Sequence, residues 1–172
     1  MKFNEKTLDK EYLYNGKILS LRKDQVLLPD GNKAVREVVE HSGGSCIVCE
    51  MNDKILLVKQ FRYPYGKELY ELPAGKLNEG ESPEQTAIRE LEEEGGVVAE
   101  RVEKMFEVYP TPAYTNEIIR IYRAINVSKS TQHLDDDEFL ECCWFDKDTL
   151  RKMIKNGEIK DAKTLIALLA IL

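Results

Sequence analysis

Histidine and long apolar runs are the scarcest features of this sequence. The 172 residues contain two histidines, His41 and His133, which are too few for a metal site built from imidazole ligands. No apolar run approaches the roughly 20 residues that a membrane-spanning helix requires. The first residues, MKFNEKTLDK, lack the apolar core of a secretion signal. We therefore expect a cytoplasmic protein that does not bind membranes.

Positive charge is in deficit, because 25 lysines and arginines face 31 aspartates and glutamates and leave a net charge of −6. A protein with a negative net charge is not attracted to nucleic acid by its overall charge. The composition, 42% hydrophobic and 33% charged, is typical of one globular domain with a sizeable core. An acidic protein that binds an anionic substrate must supply local positive charge, through a metal ion or through individual Arg and Lys side chains.

The four cysteines do not indicate a zinc or redox site. Cys46 and Cys49 have the C-x-x-C spacing that occurs in such sites. However, residues 45–50 are almost continuously apolar and predict a buried strand, on which positions i and i+3 face opposite sides. Cys142 and Cys143 also lie in a strand-like segment. We expect all four to be structural, since cysteine in a buried strand behaves as a small apolar residue.

The clearest local signal is a helix with a defined start and stop. Ser82 is a good N-cap, and Gln85 three residues later completes a capping box. Pro83 occupies the first helical position, where a missing N–H costs nothing. Gly95 and Gly96 provide the stop. The pattern predicts a helix over residues 83–94.

Three carboxylates converge on one face of this helix. Glu90, Glu93 and Glu94 lie at i, i+3 and i+4, so their charges repel by a few tenths of a kcal/mol per pair in an isolated helix. A solvated acidic face is the simpler interpretation. A divalent cation such as Mg²⁺ or Mn²⁺, which prefers oxygen ligands and shares them with substrate phosphate, is the alternative.

The residues around the helix favour the metal. They follow the pattern G-x5-E-x7-R-E-U-x-E-E-x-G-U, where U is aliphatic. Its fixed positions are occupied by Gly75, Glu81, Arg89, Glu90, Leu91, Glu93, Glu94, Gly96 and Val97. This segment is similar to the signature of the Nudix hydrolases, whose glutamates hold divalent cations that activate water and neutralise a diphosphate.

The resemblance implies a role for each position. Glu90 and Glu94 would be the principal metal ligands, with the backbone carbonyl of Ala74 as a further ligand and Glu93 close to the reacting groups. Arg89 would orient a carboxylate through an ion pair. The remaining positions have structural roles: a sharp turn after a strand, a side chain brought beside the helix, and the exit turn. These are Gly75, Glu81 and Gly96.

Segments outside the signature resemble Nudix enzymes that hydrolyse ADP-ribose. The fragment 36–41, Arg-Glu-Val-Val-Glu-His, is similar to their N-terminal module, which packs against or swaps with a second subunit. The resemblance implies that Arg36 and Glu37 help to hold the adenosine end of the substrate across a homodimer. Two exposed charges on a strand are the simpler alternative. Arg62 would clamp phosphate, because guanidinium makes bidentate contacts with phosphate oxygens.

Two later segments carry the same resemblance. Pro112 lies fifteen residues after Val97, which is the mark of the ADP-ribose pyrophosphatase subgroup. The resemblance implies that Glu117 contacts the terminal ribose or a metal-bound water, and an ordinary charge at the start of a strand is the simpler alternative. The acidic run 135–138 resembles a mobile loop that brings a carboxylate to the metal-bound water. The general base is then either Asp136 or Glu138.

The remaining pattern predicts strands and two further helices. N-terminal strands are expected at 11–14, 18–28 and 35–41, with a hairpin turn at Asp30-Gly31. Residues 45–50 and 55–61 are expected to form a hairpin around Asn52-Asp53. Asp146 and Asp161 are N-cap residues of helices that follow them.

Together these features predict an α/β protein with a Nudix α/β/α sandwich, a mixed β-sheet and an N-terminal antiparallel β module. Residues 1–172 would form a single Nudix domain, with 1–41 as the dimerisation module and 42–172 as the catalytic core. The implied activity is Mg²⁺-dependent hydrolysis of ADP-ribose to AMP and ribose 5-phosphate, with Mn²⁺ as a substitute metal. Alternatives are a Nudix pyrophosphatase for nucleotide sugars or dinucleoside polyphosphates, and a non-catalytic Nudix-fold regulatory protein.

Overall fold

The computed structural model describes residues 3–136 and 138–172. Three α-helices lie within them, α1 (Pro83–Gly95), α2 (Lys147–Lys155) and α3 (Ala162–Ile171). The strands are β1 (Lys6–Asn15), β2 (Ser20–Leu27), β3 (Lys33–Glu40), β4 (Gly44–Val48), β5 (Glu50–Met51), β6 (Lys54–Arg62), β7 (Lys67–Glu71), β8 (Ala74–Lys76), β9 (Val97–Val108), β10 (Ile119–Lys129) and β11 (Leu140–Asp146). The chain divides into two compact units, one of residues up to Gly43 plus Tyr109–Ile118 and one of the remainder.

The first unit is built on a three-stranded antiparallel sheet in the order β1-β2-β3. The predicted N-terminal antiparallel module is therefore confirmed. The first strand begins at Lys6 rather than at residue 11, because β1 pairs with β2 over its whole length although all of its residues are exposed. Such a strand has no burial alternation from which its start could be read.

The segment Tyr109–Ile118 completes this unit by pairing with the end of β3. The Val39 N–H donates to the carbonyl of Tyr114 over 2.7 Å, and the Asn116 N–H donates to the carbonyl of Val39 over 3.2 Å. This parallel bridge fixes the proline-containing turn that precedes it.

The second unit contains two four-stranded sheets. One has the order β8-β4-β10-β9, in which β4 and β10 are parallel and the other neighbours antiparallel. The other has the order β11-β6-β5, with β7 also paired to β6. The predicted mixed sheet is thus confirmed.

The predicted hairpin around Asn52 and Asp53 is present, but it is shorter than expected. Glu50 and Met51 of β5 pair with Ile55 and Lys54 of β6, and the φ angles of 52° and 61° at Asn52 and Asp53 suit a tight hairpin turn. The apolar strand β4 pairs with β8 and β10 instead. The sequence of a strand that is apolar on both faces does not indicate which strands will pair with it.

The second unit has a helix layer on each side of its sheets. Cys46 and Val48 pack in one apolar cluster with residues of α2 and α3, including Leu150 and Leu168. The alternate residues Ile47 and Cys49 pack in a second cluster with Ala87 and Leu91 of α1. The α/β/α arrangement predicted for this part of the chain is confirmed by these two clusters.

The cysteines behave as expected from the apolar strand. All four are free thiols, and Cys46 and Cys49 are buried on opposite faces of the sheet. Burial raises the pKa of each of these two thiols to about 12, so neither forms a reactive thiolate near neutral pH.

The helices begin where the capping residues predict. The Gln85 N–H donates to Ser82 Oγ and the Ser82 N–H donates to Gln85 Oε1, which is a complete capping box. Asp146 and Asp161 cap α2 and α3 by accepting hydrogen bonds from backbone N–H groups three residues later. No helix in the described part of the chain is long and apolar enough to cross a membrane.

Replacing Ser82 with alanine should lower the free energy of unfolding by about 1 kcal/mol, because the Gln85 N–H loses its acceptor, Ser82 Oγ. Urea unfolding followed by circular dichroism measures this change. Ser128→Ala, at an exposed position in β10, is the matched control and should change the free energy by less than about 0.5 kcal/mol. Equal effects of both substitutions would mean that the box does not stabilise α1.

Candidate active site

Arg89 is the central cation of the acidic helix face. Its Nε donates to Glu81 Oε1 over 2.8 Å, and its Nη1 donates to Glu90 Oε1 and Glu93 Oε2 over 2.7 Å each. Its Nη2 also donates to the carbonyl of Lys76 over 3.3 Å. One guanidinium therefore holds three carboxylates of the signature and the loop that leads to the helix. The ion pair expected for this arginine is present.

Glu81 is fixed as an anion beside the helix. The hydrogen bond from Arg89, helped by a backbone N–H of Asn78, lowers the pKa of Glu81 to about 2. A carboxylate that is ionised and fully engaged in this way is suited to structure rather than to proton transfer.

Glu90 and Glu94 have the opposite character. They are only 7% and 3% exposed, and burial is the main reason that their pKa values are raised, to about 6 and about 8. Their mutual repulsion adds to the shift of Glu94, and the charge of Glu138 raises the pKa of both. Two buried carboxylates that repel each other form a site that a cation would stabilise.

The backbone of Ala74 faces this pair. Ala74 and Cys46 form a non-hydrogen-bonded pair of β8 and β4, since Ile47 N–H donates to the carbonyl of Pro73 on one side of them. The N–H and the carbonyl of Ala74 therefore both point away from β4. The N–H donates to Glu94 Oε2 over 2.8 Å, and the carbonyl is directed to the same side of the strand.

Gly75 leaves the space that Glu90 occupies. A Cβ atom built on this glycine would overlap the carboxylate of Glu90. The glycine of the signature is thus required by the close approach of a carboxylate to the strand, in addition to the turn that the sequence indicated.

Gly75→Ala should therefore displace the Glu90 carboxylate and lower kcat/KM by roughly 10²-fold, since misplacement by about 1 Å has effects of this size. Turnover and circular dichroism would be measured together. Gly80→Ala is a useful comparison, because Gly80 has positive φ but open space around its Cα, so it tests loop strain alone. The interpretation fails if Gly75→Ala keeps normal turnover.

The donor set fits a divalent cation of the Mg²⁺ type. Within residues 3–136 and 138–172 no group of three or more His, Cys, Asp or Glu side chains is arranged to hold a metal ion. The predicted ligands include only two such side chains, those of Glu90 and Glu94. The third ligand is the backbone carbonyl of Ala74. All three supply oxygen, and magnesium completes its coordination with water and substrate phosphate.

The segment after β10 is anchored to the end of α1. The Ser130 N–H donates to the carbonyl of Gly96, and the His133 N–H donates to the carbonyl of Glu93, over 2.7 and 2.9 Å. Gln132 Nε2 donates to the carbonyl of Glu94 over 2.7 Å. Gly96 itself is in the left-handed region with φ of 60° and ends the helix. No local pattern indicates these anchors, because they link residues far apart in the chain.

These anchors bring the acidic run near the buried pair. Glu138 is partly buried, and its charge acts on Glu90 and Glu94. Asp136 is exposed, while Asp137 lies outside the described residues. Of the two candidates for the general base, Glu138 is the partly buried one, and its charge raises the pKa of both Glu90 and Glu94.

Arg62 makes a bidentate ion pair that the sequence analysis did not anticipate. Its Nε and Nη2 donate to the two carboxylate oxygens of Glu71 over 2.6 and 2.8 Å. Lys163 of α3 donates to the same carboxylate over 2.5 Å. Nothing in the sequence around Glu71 or Lys163 indicates their partner, because the three residues come from two strands and a distant helix.

An open cavity of about 530 Å³ lies along the helix within the second unit. It is lined by Gln85, Ile88, Arg89, Glu92, Glu93 and His133. Two residues of the signature therefore border a space large enough for part of a nucleotide-sized ligand.

The other predicted binding residues belong to the first unit. Arg36 pairs with Glu5 through two hydrogen bonds, and Glu37 is exposed on the same strand. Glu117 lies 3.4 Å from His41 Nδ1, measured from its Oε1 atom. Pro112 lies in the turn of residues 109–118. Their contacts with substrate stay predictions.

Comparison with known proteins agrees with the geometry. Residues 39–168 match the NUDIX domain, and residues 5–39 match the nucleoside diphosphate sugar hydrolase N-terminal domain. An ADP-ribose pyrophosphatase of Bacillus subtilis is 39% identical over 95% of this chain and 90% of its own length. A methanol dehydrogenase activator of Bacillus methanolicus is 40% identical, over 96% and 91%.

A solved structure described as an ADP compounds hydrolase has a TM-score of 0.86 with 18% identity, over 98% of this chain and 93% of that chain. At this identity the likeness concerns the fold. The family matches cover nearly all of the described residues, and the family predicted from the sequence is confirmed. The chain belongs to the Nudix hydrolase family.

Proposed function

We propose that the protein hydrolyses the diphosphate linkage of ADP-ribose, giving AMP and ribose 5-phosphate, with Mg²⁺ as cofactor. The observation that carries the proposal is the pair of carboxylates of Glu90 and Glu94, which are only 7% and 3% exposed and are held by Arg89 Nη1 and the Ala74 N–H within the Nudix signature. The relative from Bacillus subtilis that is named an ADP-ribose pyrophosphatase supports this substrate.

Glu90, Glu94 and the carbonyl of Ala74 would hold the metal. When bound, a divalent cation lowers the pKa of a water and neutralises charge on the diphosphate. Arg89 keeps the Glu90 carboxylate in place through its Nη1, and the N–H of Ala74 does the same for Glu94. Mn²⁺ can replace Mg²⁺ on such oxygen ligands.

The loop carboxylate completes the chemistry. Glu138 takes a proton from the attacking water, whose oxygen forms a bond to phosphorus as the bridging P–O bond breaks. The leaving phosphate then recovers a proton from solvent or from the same carboxylate. Glu93 stays near the reacting groups through Arg89, and Arg62 contacts the diphosphate. The choice of Glu138 rests on its partial burial, since Asp136 is exposed.

The N-terminal unit would bind the adenosine end of the substrate in a homodimer. Its strand β1 is exposed along its whole length and carries Leu8, Tyr12, Leu13 and Tyr14. Exposed large side chains on an edge strand suit contact with a second subunit. Arg36 and Glu37 would then act at the shared site.

Two other functions remain to be separated from this one. Hydrolysis of another nucleotide sugar is favoured by the name of the N-terminal domain family. A regulatory role is favoured by the relative named as an activator of methanol dehydrogenase, which is as similar to this chain as the pyrophosphatase is. The signature carboxylates are all present in this sequence, which argues for catalysis.

The test is turnover with Mg²⁺ on ADP-ribose, ADP-glucose, GDP-mannose, diadenosine polyphosphates and deoxynucleoside triphosphates, with released monophosphate measured after phosphatase treatment. The highest kcat/KM on ADP-ribose supports the proposal. A higher value on another compound transfers the same metal chemistry to that substrate. Metal binding without turnover on any of them would overturn the catalytic proposal, and size-exclusion chromatography with light scattering tests the dimer.

A further inference from the structure

A buried cluster of charged side chains extends from Arg62 to helix α3, and the hydrolysis described above does not use most of it. Glu71 is 3% exposed and accepts hydrogen bonds from both Arg62 and Lys163. Lys163 is 9% exposed and also lies 3.0 Å from Asp161 Oδ1. A lysine buried to this degree needs a reason beyond solubility.

The first turn of helix α3 holds two members of this cluster, Asp161 and Lys163, in place. Asp161 is the N-cap residue, and its Oδ2 accepts from the N–H and the hydroxyl of Thr164 over 2.9 and 2.7 Å. The Thr164 hydroxyl in turn accepts from the Leu72 N–H over 2.8 Å. The position of Lys163 is therefore set by a capped helix that is tied to the strand end next to Glu71.

The two most deeply buried members of the cluster, Glu71 and Lys163, are charged at neutral pH. Burial opposes ionisation of Glu71, but the hydrogen bond from Arg62 and the charges of Lys163 and Arg62 lower its pKa to about 2. Burial likewise opposes the charge of Lys163, yet Asp161 and Glu71 raise its pKa. Two cations and two anions thus balance in one buried cluster.

Arg62 is the end of this cluster that reaches the candidate active site. Its partner Glu71 lies three residues before Ala74 in the chain, and the Ala74 N–H donates to Glu94 Oε2 over 2.8 Å. Its side chain is 39% exposed, and Nη1 makes no hydrogen bond within residues 3–136 and 138–172. Without Lys163, Glu71 and Asp161 would outweigh Arg62 and leave the cluster with one net negative charge, which repels an anion.

We propose that Lys163 is a positioning residue for substrate binding, which shares Glu71 with Arg62 and so leaves Arg62 able to attract and hold the diphosphate. The inference rests on the proposed function, in which the substrate is a nucleoside diphosphate derivative. Lys163 does not touch the substrate. It sets the net charge of the cluster behind the arginine that does.

Three variants change that net charge in known steps. Lys163→Met makes the cluster negative by one charge, and the double variant Lys163→Met with Glu71→Gln restores neutrality. Asp161→Asn makes it positive by one charge and keeps an N-cap residue that can accept from Thr164. Asp161→Asn does not depend on whether the lysine variants fold. Lys160→Met removes the same charge from an exposed position nearby and serves as control.

The KM for ADP-ribose should follow the charge of the cluster. Lys163→Met is expected to raise KM by about tenfold and Asp161→Asn to lower it by a few-fold, because a fixed charge near the site changes the attraction for an anion. The double variant should return KM to within about threefold of the wild type, while kcat changes by less than about threefold in all three. Lys160→Met should change KM by less than about twofold, because solvent screens an exposed charge.

The dissociation constant of ADP-ribose in EDTA, measured by calorimetry, should follow the same order without metal or turnover. Thermal unfolding of each variant distinguishes an effect of charge on KM from an effect of lost packing. The double variant should be no more stable than Lys163→Met, although its KM should return toward the wild-type value. A KM that follows stability instead of charge overturns the inference. If the wild type does not hydrolyse ADP-ribose, the proposed function fails; if it does and the charge order is absent, only the role of Lys163 fails.

Discussion

Replacing Glu94 with glutamine is expected to lower kcat on the order of 10²–10³-fold, since a metal ligand loses its charge at the point where charge must be neutralised. The fold should persist. The glutamine oxygen can still accept from the Ala74 N–H, and an amide avoids the cost of burying an ionised group at a position only 3% exposed. Steady-state kinetics with saturating Mg²⁺ and thermal unfolding measure the two effects.

Glu84→Gln is the matched control for this change. Glu84 lies in the first turn of the same helix and is exposed. Its substitution should leave kcat within about threefold of the wild type, because an exposed carboxylate contributes little. If Glu94→Gln keeps near-normal turnover, Glu94 is not a ligand of the catalytic metal. If both variants lose activity equally, the helix rather than the ligand has been disturbed.

Glu71 is expected to make the stability of the protein strongly dependent on pH in the acid range. Its pKa is about 2 in the folded protein, against an ordinary value of 4.5. The folded state therefore favours the ionised form, and this contribution is fully present above pH 4.5. It is lost as the pH falls from 4.5 toward 2. The lost stability is about 3 kcal/mol, since each pKa unit corresponds to about 1.4 kcal/mol.

Urea unfolding of the wild type and of Glu71→Gln at pH 7, 4.5, 3 and 2.5 tests this. The variant should be less stable by roughly 2–4 kcal/mol at pH 7, where it leaves Lys163 and Arg62 without their shared anion. The difference between the two proteins should shrink below pH 4.5, because protonation then removes the same charge from the wild type. A difference that is constant with pH would mean that Glu71 stabilises by packing alone. Glu158→Gln, at an exposed position after α2, provides the baseline.

Much of the architecture was accessible to local reasoning. The capping residues located all three helices, and the observed α1 ends one residue after the expected end. The hairpin turn at Asp30-Gly31 and the turn at Asn52-Asp53 were also correct. These features depend on side chains that satisfy backbone groups a few residues away, so a short stretch of sequence contains the whole interaction.

Strand partners were less accessible. The apolar strand β4 was expected to pair with β6, and it pairs with β8 and β10. The exposed strand β1 was predicted too short. In both cases the hydrophobic pattern reports burial, whereas pairing depends on which distant strand is brought alongside.

The sequence by itself determined the family, the acidic helix face and the residues of the signature, because their spacing along one helix brings Glu90, Glu93 and Glu94 together. The tertiary structure decided which carboxylates are buried and which are neutralised. It placed Glu94 against the N–H of Ala74, and it joined Arg62, Glu71 and Lys163 in one cluster. The physical reason is that burial and long-range ion pairs are formed between elements far apart in the chain, and no local pattern records them.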